Sequence, residues 1–359
     1  MLKRITRLLL MLSVVGTASA AHAAANIPSI FPTPERVAVA RTLPDWGGFQ
    51  SACEKDLKMK PYPLGDFSPS GHYDSKGESP IVSKSQVAFH KEAIAVYRLG
   101  VCYQISHDRK FASKGESILD EWAATLTRIG TDQGEDEFNF FAPFALASAY
   151  ALKQQDPAWN STPFATMVRK QMIPALHTTK ANNHANWGVL LELTAGALLD
   201  DARLVTAARD RWLELMRNQV ASDGSLPLEI CRSDTTNWCD GQTKGIKGIS
   251  YEHWTLLPVS IAAEIFKALG MDVYSTPEGE LLHKAYGKAA AWTLHPETFP
   301  YYAANGGHLQ GVRNDAYFYI LQQVFPEGDA TAVEKSDGGF QGDDLKLRAL
   351  YGASTAKHN

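Results

Sequence analysis

Asn182-Asn183-His184-Ala185-Asn186-Trp187 gathers amides, an imidazole and an indole just ahead of an apolar run. At a helix N-terminus such groups join unpaired backbone N–H donors, and the end of the helix dipole favours an anion such as a carboxylate. Taken alone, the same residues also read as plain helix capping. Farther along come Pro227, Glu229 and Arg232, then Ser250-Tyr251-Glu252-His253-Trp254 at the start of another apolar segment. Arg232 can grip a carboxylate with both arms of its guanidinium, and Tyr251 can donate or accept a proton where cationic neighbours favour its phenolate. Together these groups suit proton abstraction beside a carboxylate. A hydrogen next to a carboxylate is hardly acidic while that carboxylate keeps its charge, so neutralising the charge is the first task. Asn183 and Arg232 fit it. Tyr251 can then move the proton, with His184 as its partner or as a second base. This chemistry calls for neither a metal nor a redox cofactor.

Sugar rings stack on aromatic faces, which makes Trp187, Trp254, Tyr301, Tyr302 and Tyr317 candidates for substrate contact, though each taken singly reads more readily as packing. Arg313 lies just beyond the Tyr301 stretch. His253 and His308 are weaker candidates, expected at the surface or behind the site. Three stretches rich in Gly, Pro and polar residues, 58–80, 221–248 and 295–311, interrupt the helical pattern. Loops on a rigid scaffold are where binding groups tend to sit. The first of them, with Tyr62, His72 and Tyr73, suits a cover over a groove.

The elements that must position these groups are helices. From about residue 86, apolar residues recur at three- and four-residue spacing in segments split by short breaks: Val87 to Ile105, Lys114 to Ile129, Phe140 to Lys153, Asn186 to Leu199, Ala202 to Val220, Trp254 to Leu269 and Gly279 to Thr293. Strand-like alternation is scarce. The chain therefore reads as all-α, built of antiparallel helical hairpins in a bundle, a solenoid or a toroid. No fixed-period repeat is visible, which favours a toroid over a regular solenoid.

Residues 1–23 read as a signal peptide: Lys3, Arg4 and Arg7, an apolar run from Leu8 to Val15, and the small-x-small site Ala21-His22-Ala23. The mature chain, 24–359, is then expected to be periplasmic or secreted. It reads as one catalytic domain with a peripheral tail after about 338, and no later run approaches the length of a membrane span. A net charge of −4 argues against a nucleic-acid partner. Four cysteines in an exported chain favour disulfides, and they lack metal-site spacing. We pair Cys231 with Cys239, on proximity alone, and Cys53 with Cys102; two other connectivities stay open.

The segments Cys53 through His72-Tyr73-Asp74, Phe140 to Tyr150, Asn182-Asn183-His184 to Trp187, Leu226-Pro227 to Glu229 with Arg232, and Tyr251 with Pro258 resemble the alginate lyase family that cleaves polymannuronate. They occur in the family's order over most of the mature chain. The resemblance implies an incomplete α/α toroid with a deep substrate groove and a lid loop. It implies catalytic roles for Asn183, His184, Arg232 and Tyr251, a lid tyrosine near Tyr73, a disulfide at the first cysteine pair, and an acidic polysaccharide as substrate. The chain departs from the family in two places. Residues 231–248 look like an insertion, so counting forward from Glu229 gives Arg232 as the catalytic cation, while counting back from Tyr251 lands near Lys244; Arg232 is favoured for its planar fork. The lid's basic residue is His72, which bears on substrate preference. Three rival readings remain: a lyase for another polyuronate such as glucuronan; a glycoside hydrolase pairing Asp136 with Glu229 or Glu252; and a non-catalytic polysaccharide-binding protein of an exopolysaccharide export system.

Overall fold

A computed structural model describes residues 27, 29–42, 46–71, 78–235 and 238–335. The signal-like stretch 1–23, the tail after 338, His72 and Tyr73 lie outside the described residues.

Helices dominate: α1 (Pro34–Val39), α2 (Trp46–Asp56), α3 (Pro80–Ser106), α4 (Arg109–Thr125), α5 (Asp132–Gln155), α6 (Thr162–Met167), α7 (Asn183–Leu198), α8 (Ala202–Gln219), α9 (Pro227–Ile230), α10 (Gly248–Ala268), α11 (Pro277–Leu294), α12 (Ala316–Leu321) and α13 (Gly328–Lys335). The only strand pairing among the described residues is a two-residue parallel bridge, Asp66–Phe67 against Arg128–Ile129.

Two kinds of helix make two rows. Helix α4 buries Phe111, Ala112, Gly115, Ile118, Leu119 and Trp122, one stripe at helical spacing, and α8 does the same with Ala208, Trp212, Leu215 and Met216. These are outer helices with a wet face. Helix α7 is buried at all but two of its positions, and most of α10 and the second half of α3 are buried too. A helix buried all round must have neighbours all round. Accordingly α3 packs on α5, α5 on α7, α7 on α10 and α10 on α12, while α4, α8 and α11 cover this inner row from outside. The result is the α/α toroid.

Apolar periodicity places every long helix and finds the start of α8, but trims the starts of the others. Helix α5 begins eight residues before the expected Phe140, because its first turns are polar and are secured by Thr131, whose side chain accepts from the Gly134 N–H. Asp108, Asn182, Asp201 and Thr276 cap α4, α7, α8 and α11 in the same way.

Disulfides join Cys53 to Cys102 and Cys231 to Cys239. The first ties α2 to α3 beside a buried two-pronged ion pair, Arg98 Nε to Asp56 Oδ2 at 2.6 Å and Nη2 to Oδ1 at 2.8 Å. An aromatic cluster lies between α3, α4 and α5, where Phe89 meets Phe138 at a tilt at 4.4 Å and Trp122 edge-on at 5.1 Å, with Phe67 edge-on to all three.

Candidate active site

The first turns of α5, α7 and α10, together with Arg232 and the approach to α12, line one cavity of about 660 Å³. Helix α5 presents Gln133, Asp136, Glu137 and Phe140 to it, positions i, i+3, i+4 and i+7 of one face. Helix α10 presents Ser250, Tyr251, His253, Trp254 and Leu257. Asn183 and His184 come from the first turn of α7. All four residues expected to carry the chemistry thus meet around one cleft, and Lys244, the competing cation, does not line it.

Asn183 is fully enclosed. Its backbone N–H donates to Glu229 Oε1 at 2.7 Å, and its Nδ2 donates to both Glu229 oxygens at 3.1 and 3.0 Å. Burial pushes the Glu229 carboxyl up to about 7, against the pull of the Asn183 N–H and of the Arg232 charge.

His184 is half-buried, and its Nδ1 lies 2.7 Å from Asp136 Oδ1. The same oxygen meets His177 Nδ1 at 2.7 Å, and His177 Nε2 meets Glu135 Oε2 at 2.7 Å. Burial works against the Asp136 charge, but the two imidazoles outweigh it and hold the carboxyl below its ordinary range. A carboxylate at that oxygen assigns the proton of His184 to Nδ1, leaving Nε2 as the acceptor of a residue that lines the cavity. Ligand atoms of Asp136, His177 and His184 lie within 4.8 Å of one another, close enough for a metal. The three already satisfy one another by hydrogen bonds, and we assign them no ion.

The Arg232 guanidinium carbon lies over two rings, 4.4 Å from the Trp238 ring centre and 4.3 Å from that of Tyr251. The residue is 7% exposed, and its Nη1 is buried without a partner. A buried guanidinium with an unused N–H is a receptor for an anion.

A model of the alginate lyase family matches residues 69–299. The chain belongs to the alginate lyase family. A curated polysaccharide lyase from Stenotrophomonas maltophilia (strain K279a) is 25% identical over 344 residues, covering 89% of this chain and 97% of that relative. Among solved structures, alginate lyase A1-III from Sphingomonas species A1 superposes with a TM-score of 0.66 at 17% identity, covering 91% of this chain and 95% of that one. An alginate lyase from Bacteroides ovatus gives 0.62 at 16% identity, with 88% and 97% covered. These likenesses establish the toroid fold.

The aromatic expectations for this lyase divide. Trp254 lines the cleft, half-buried, supported from beneath by Phe140 at 5.4 Å and Trp187 at 4.6 Å. Trp187 itself is 1% exposed and donates its Nε1–H to the Trp254 carbonyl, so it is a support and not a sugar platform. Beyond its first turn its helix is buried nearly all round, which leaves Trp187 no face for a ligand. Tyr301 is also corrected: it packs against Phe299 and fills the space that a side chain at Gly245 (φ +81°) would need, outside the cavity. Tyr317 is fully buried and holds His253 Nδ1 at 2.7 Å. His253 is not a surface residue. Burial and the nearby Arg313 charge bring its pKa down to about 3, so it stands as a neutral wall behind the cleft. Arg313 lines the cavity as expected, with a buried Nε lacking a partner; His308 is exposed and apart from it.

Sequence reading missed Trp238, Lys247 and Gln310 in the cleft wall, and it considered Asp136 only as a hydrolase acid. The polar stripe 133, 136, 137, continued by Phe140, was a usable signal for α5. The carboxylates weighed for hydrolysis are committed elsewhere: Asp136 to its imidazoles, Glu229 to Asn183, while Glu252 is fully buried and does not line the cavity.

Proposed function

We propose that this polysaccharide lyase cleaves polymannuronate-type alginate, with Arg232 as the receptor for the uronate carboxylate and Tyr251 as the proton-transfer group. The observation that carries this reading is the buried, partly unpaired Arg232 guanidinium stacked on the Tyr251 ring in a cleft shared with His184. Neutralised by Arg232, the carboxylate lets the C5 hydrogen leave as a proton. The electron pair forms the C4–C5 double bond, the C4–O bond breaks, and the leaving oxygen takes a proton. Tyr251 handles both transfers when the two atoms lie on one face of the sugar; His184 Nε2, fixed by Asp136, takes the proton from the opposite face. Asn183 donates to Glu229, so charge neutralisation falls chiefly on Arg232, with Asn183 keeping the first turn of α7 in place. A variant of A1-III was solved complexed with a tetrasaccharide, at a TM-score of 0.67 and 16% identity, which supports an oligosaccharide as the occupant of this cleft. Lys247 and Arg313 add positive charge for flanking uronates.

The test follows absorbance of the new double bond on a panel of polyuronates beside a Tyr251→Phe variant. Polymannuronate should give the fastest rise, and the variant should be slower by about 10²–10⁴-fold with its fold intact. Activity confined to polyglucuronate would overturn the substrate assignment. We also place the mature protein in the periplasm or outside the cell, a reading supported by the signal-like residues 1–23 and by two disulfides. An exopolysaccharide export system is the partner this location favours.

A further inference from the structure

The loop closed by Cys231–Cys239 carries Arg232 itself and leads toward Tyr251, the other principal cleft residue, and its sequence alone gave it no role. Its geometry is specific. Trp238, next to the second cysteine, has φ +47°, a left-handed backbone that a bulky side chain seldom adopts unless its surroundings impose it. The surroundings are visible: the Ser233 N–H donates to the Trp238 carbonyl at 2.6 Å, the Thr243 hydroxyl donates to Asp234 at 2.6 Å, and the Gly245 and Lys247 N–H groups donate to the carbonyls of Cys231 and Arg232 at 3.0 Å each. So anchored, Trp238 places its indole over the Arg232 guanidinium, lines the cleft, and stays 58% exposed, the highest value among the exposed large apolar side chains described. The Tyr251 ring centre lies 4.3 Å from the same guanidinium carbon.

We propose that Trp238 is a substrate-positioning residue of the cleft, clamping Arg232 in plane against Tyr251 and offering its outer surface to a uronate ring. The inference rests on the carboxylate-receiving role of Arg232 given above and extends it. Stacking engages a guanidinium through its faces and leaves its edge N–H groups for the carboxylate fork. Two ring faces also exclude water from the cation, which strengthens its hold on the substrate anion. The exposed side of an indole suits the C–H face of a sugar, so the one side chain orients the catalytic cation and borders the subsite. The disulfide is what holds it there.

Kinetics and binding test this together. Trp238→Ala should lower kcat and raise KM, for a loss in kcat/KM of about tenfold or more. Trp238→Phe, which keeps a ring, should recover most of it, and both should melt within a few degrees of the parent. In a Tyr251→Phe background, slowed so that binding can be followed ahead of turnover, titration with a mannuronate oligomer should change the tryptophan emission, and adding Trp238→Phe should remove most of that change. The double variant Cys231→Ser/Cys239→Ser should share the kinetic signature of Trp238→Ala. Kinetics of Trp238→Ala within twofold of the parent, or equal losses in the Ala and Phe variants, would overturn the proposal. So would an emission change that persists without Trp238. A parent protein inactive on every polyuronate counts against the proposed function, while the emission titration still decides the role of Trp238.

Discussion

The aromatic cluster around Phe89 and the cleft in front of Trp254 share helix α5, and they treat buried polar groups in opposite ways. In the cluster, the enclosed Glu92 accepts from Trp122 Nε1 at 2.5 Å and from the Tyr62 N–H at 2.8 Å, so both its oxygens are served. In and behind the cleft, Arg232 Nη1, Arg313 Nε and both oxygens of Glu252 have no partner. Leaving a buried donor or acceptor unpaired costs about 1–3 kcal/mol each. One region spends its polar groups on cohesion; the other holds them open for a ligand at a cost in stability. Positions 136 and 138 of α5, two residues apart on a helix, face these two environments.

The comparison sharpens with a change on the cohesive side. Phe89→Ala deletes a ring that touches Phe67, Trp122 and Phe138, and should cost about 3–5 kcal/mol in denaturant unfolding. The surviving folded protein should keep its kcat. A comparable fall in kcat would mean that the cluster and the cleft are one energetic unit.

On the open side the cost moves to activity. Arg232→Lys keeps the charge but loses the planar fork and the stacked faces. It should lower kcat/KM by about 10²–10³-fold, measured as unsaturated product, with little change in melting temperature. Retained activity would return the cationic role to Lys247 or Arg313.

The same contrast explains what was legible in one sequence. Helical class, the long segments and the association of Asn183, His184, Arg232 and Tyr251 follow from periodicity and motif order, because both are written locally. Helix starts were missed, since the first turn of α5 is polar and held by Thr131, while α3 opens at Pro80 with Ile81 and Val87 exposed, so its early apolar residues mark no buried stripe. Trp187 was misjudged although its cause was present: an unbroken apolar helix has no wet face. Asp136 lies 48 residues before the His184 it orients, and nothing local links them. Trp238 owes its place to a disulfide loop, and a loop's path is not encoded in hydrophobic spacing.

The smallest effect comes from Glu252, whose partnerless carboxyl lies behind the cleft with Lys288, Asp223 and Glu229 as its charged neighbours. Burial raises it well above its ordinary 4.5, with Lys288 pulling against that and the two carboxylates adding to it. The native protein therefore keeps this proton where the unfolded chain releases it. Below about 4.5 the two states hold it alike; as pH rises above that, ionisation favours the unfolded chain and native stability falls. Glu252→Gln removes this linkage. Its melting temperature should gain on the parent by a few degrees between pH 5 and pH 8, with the gap widening steadily. Glu229, which titrates near 7, slopes both curves in the same direction, so the difference between them isolates Glu252. A gap that stays constant with pH would mean that Glu252 is ionised in the folded protein and that the region behind the cleft supplies it a partner after all.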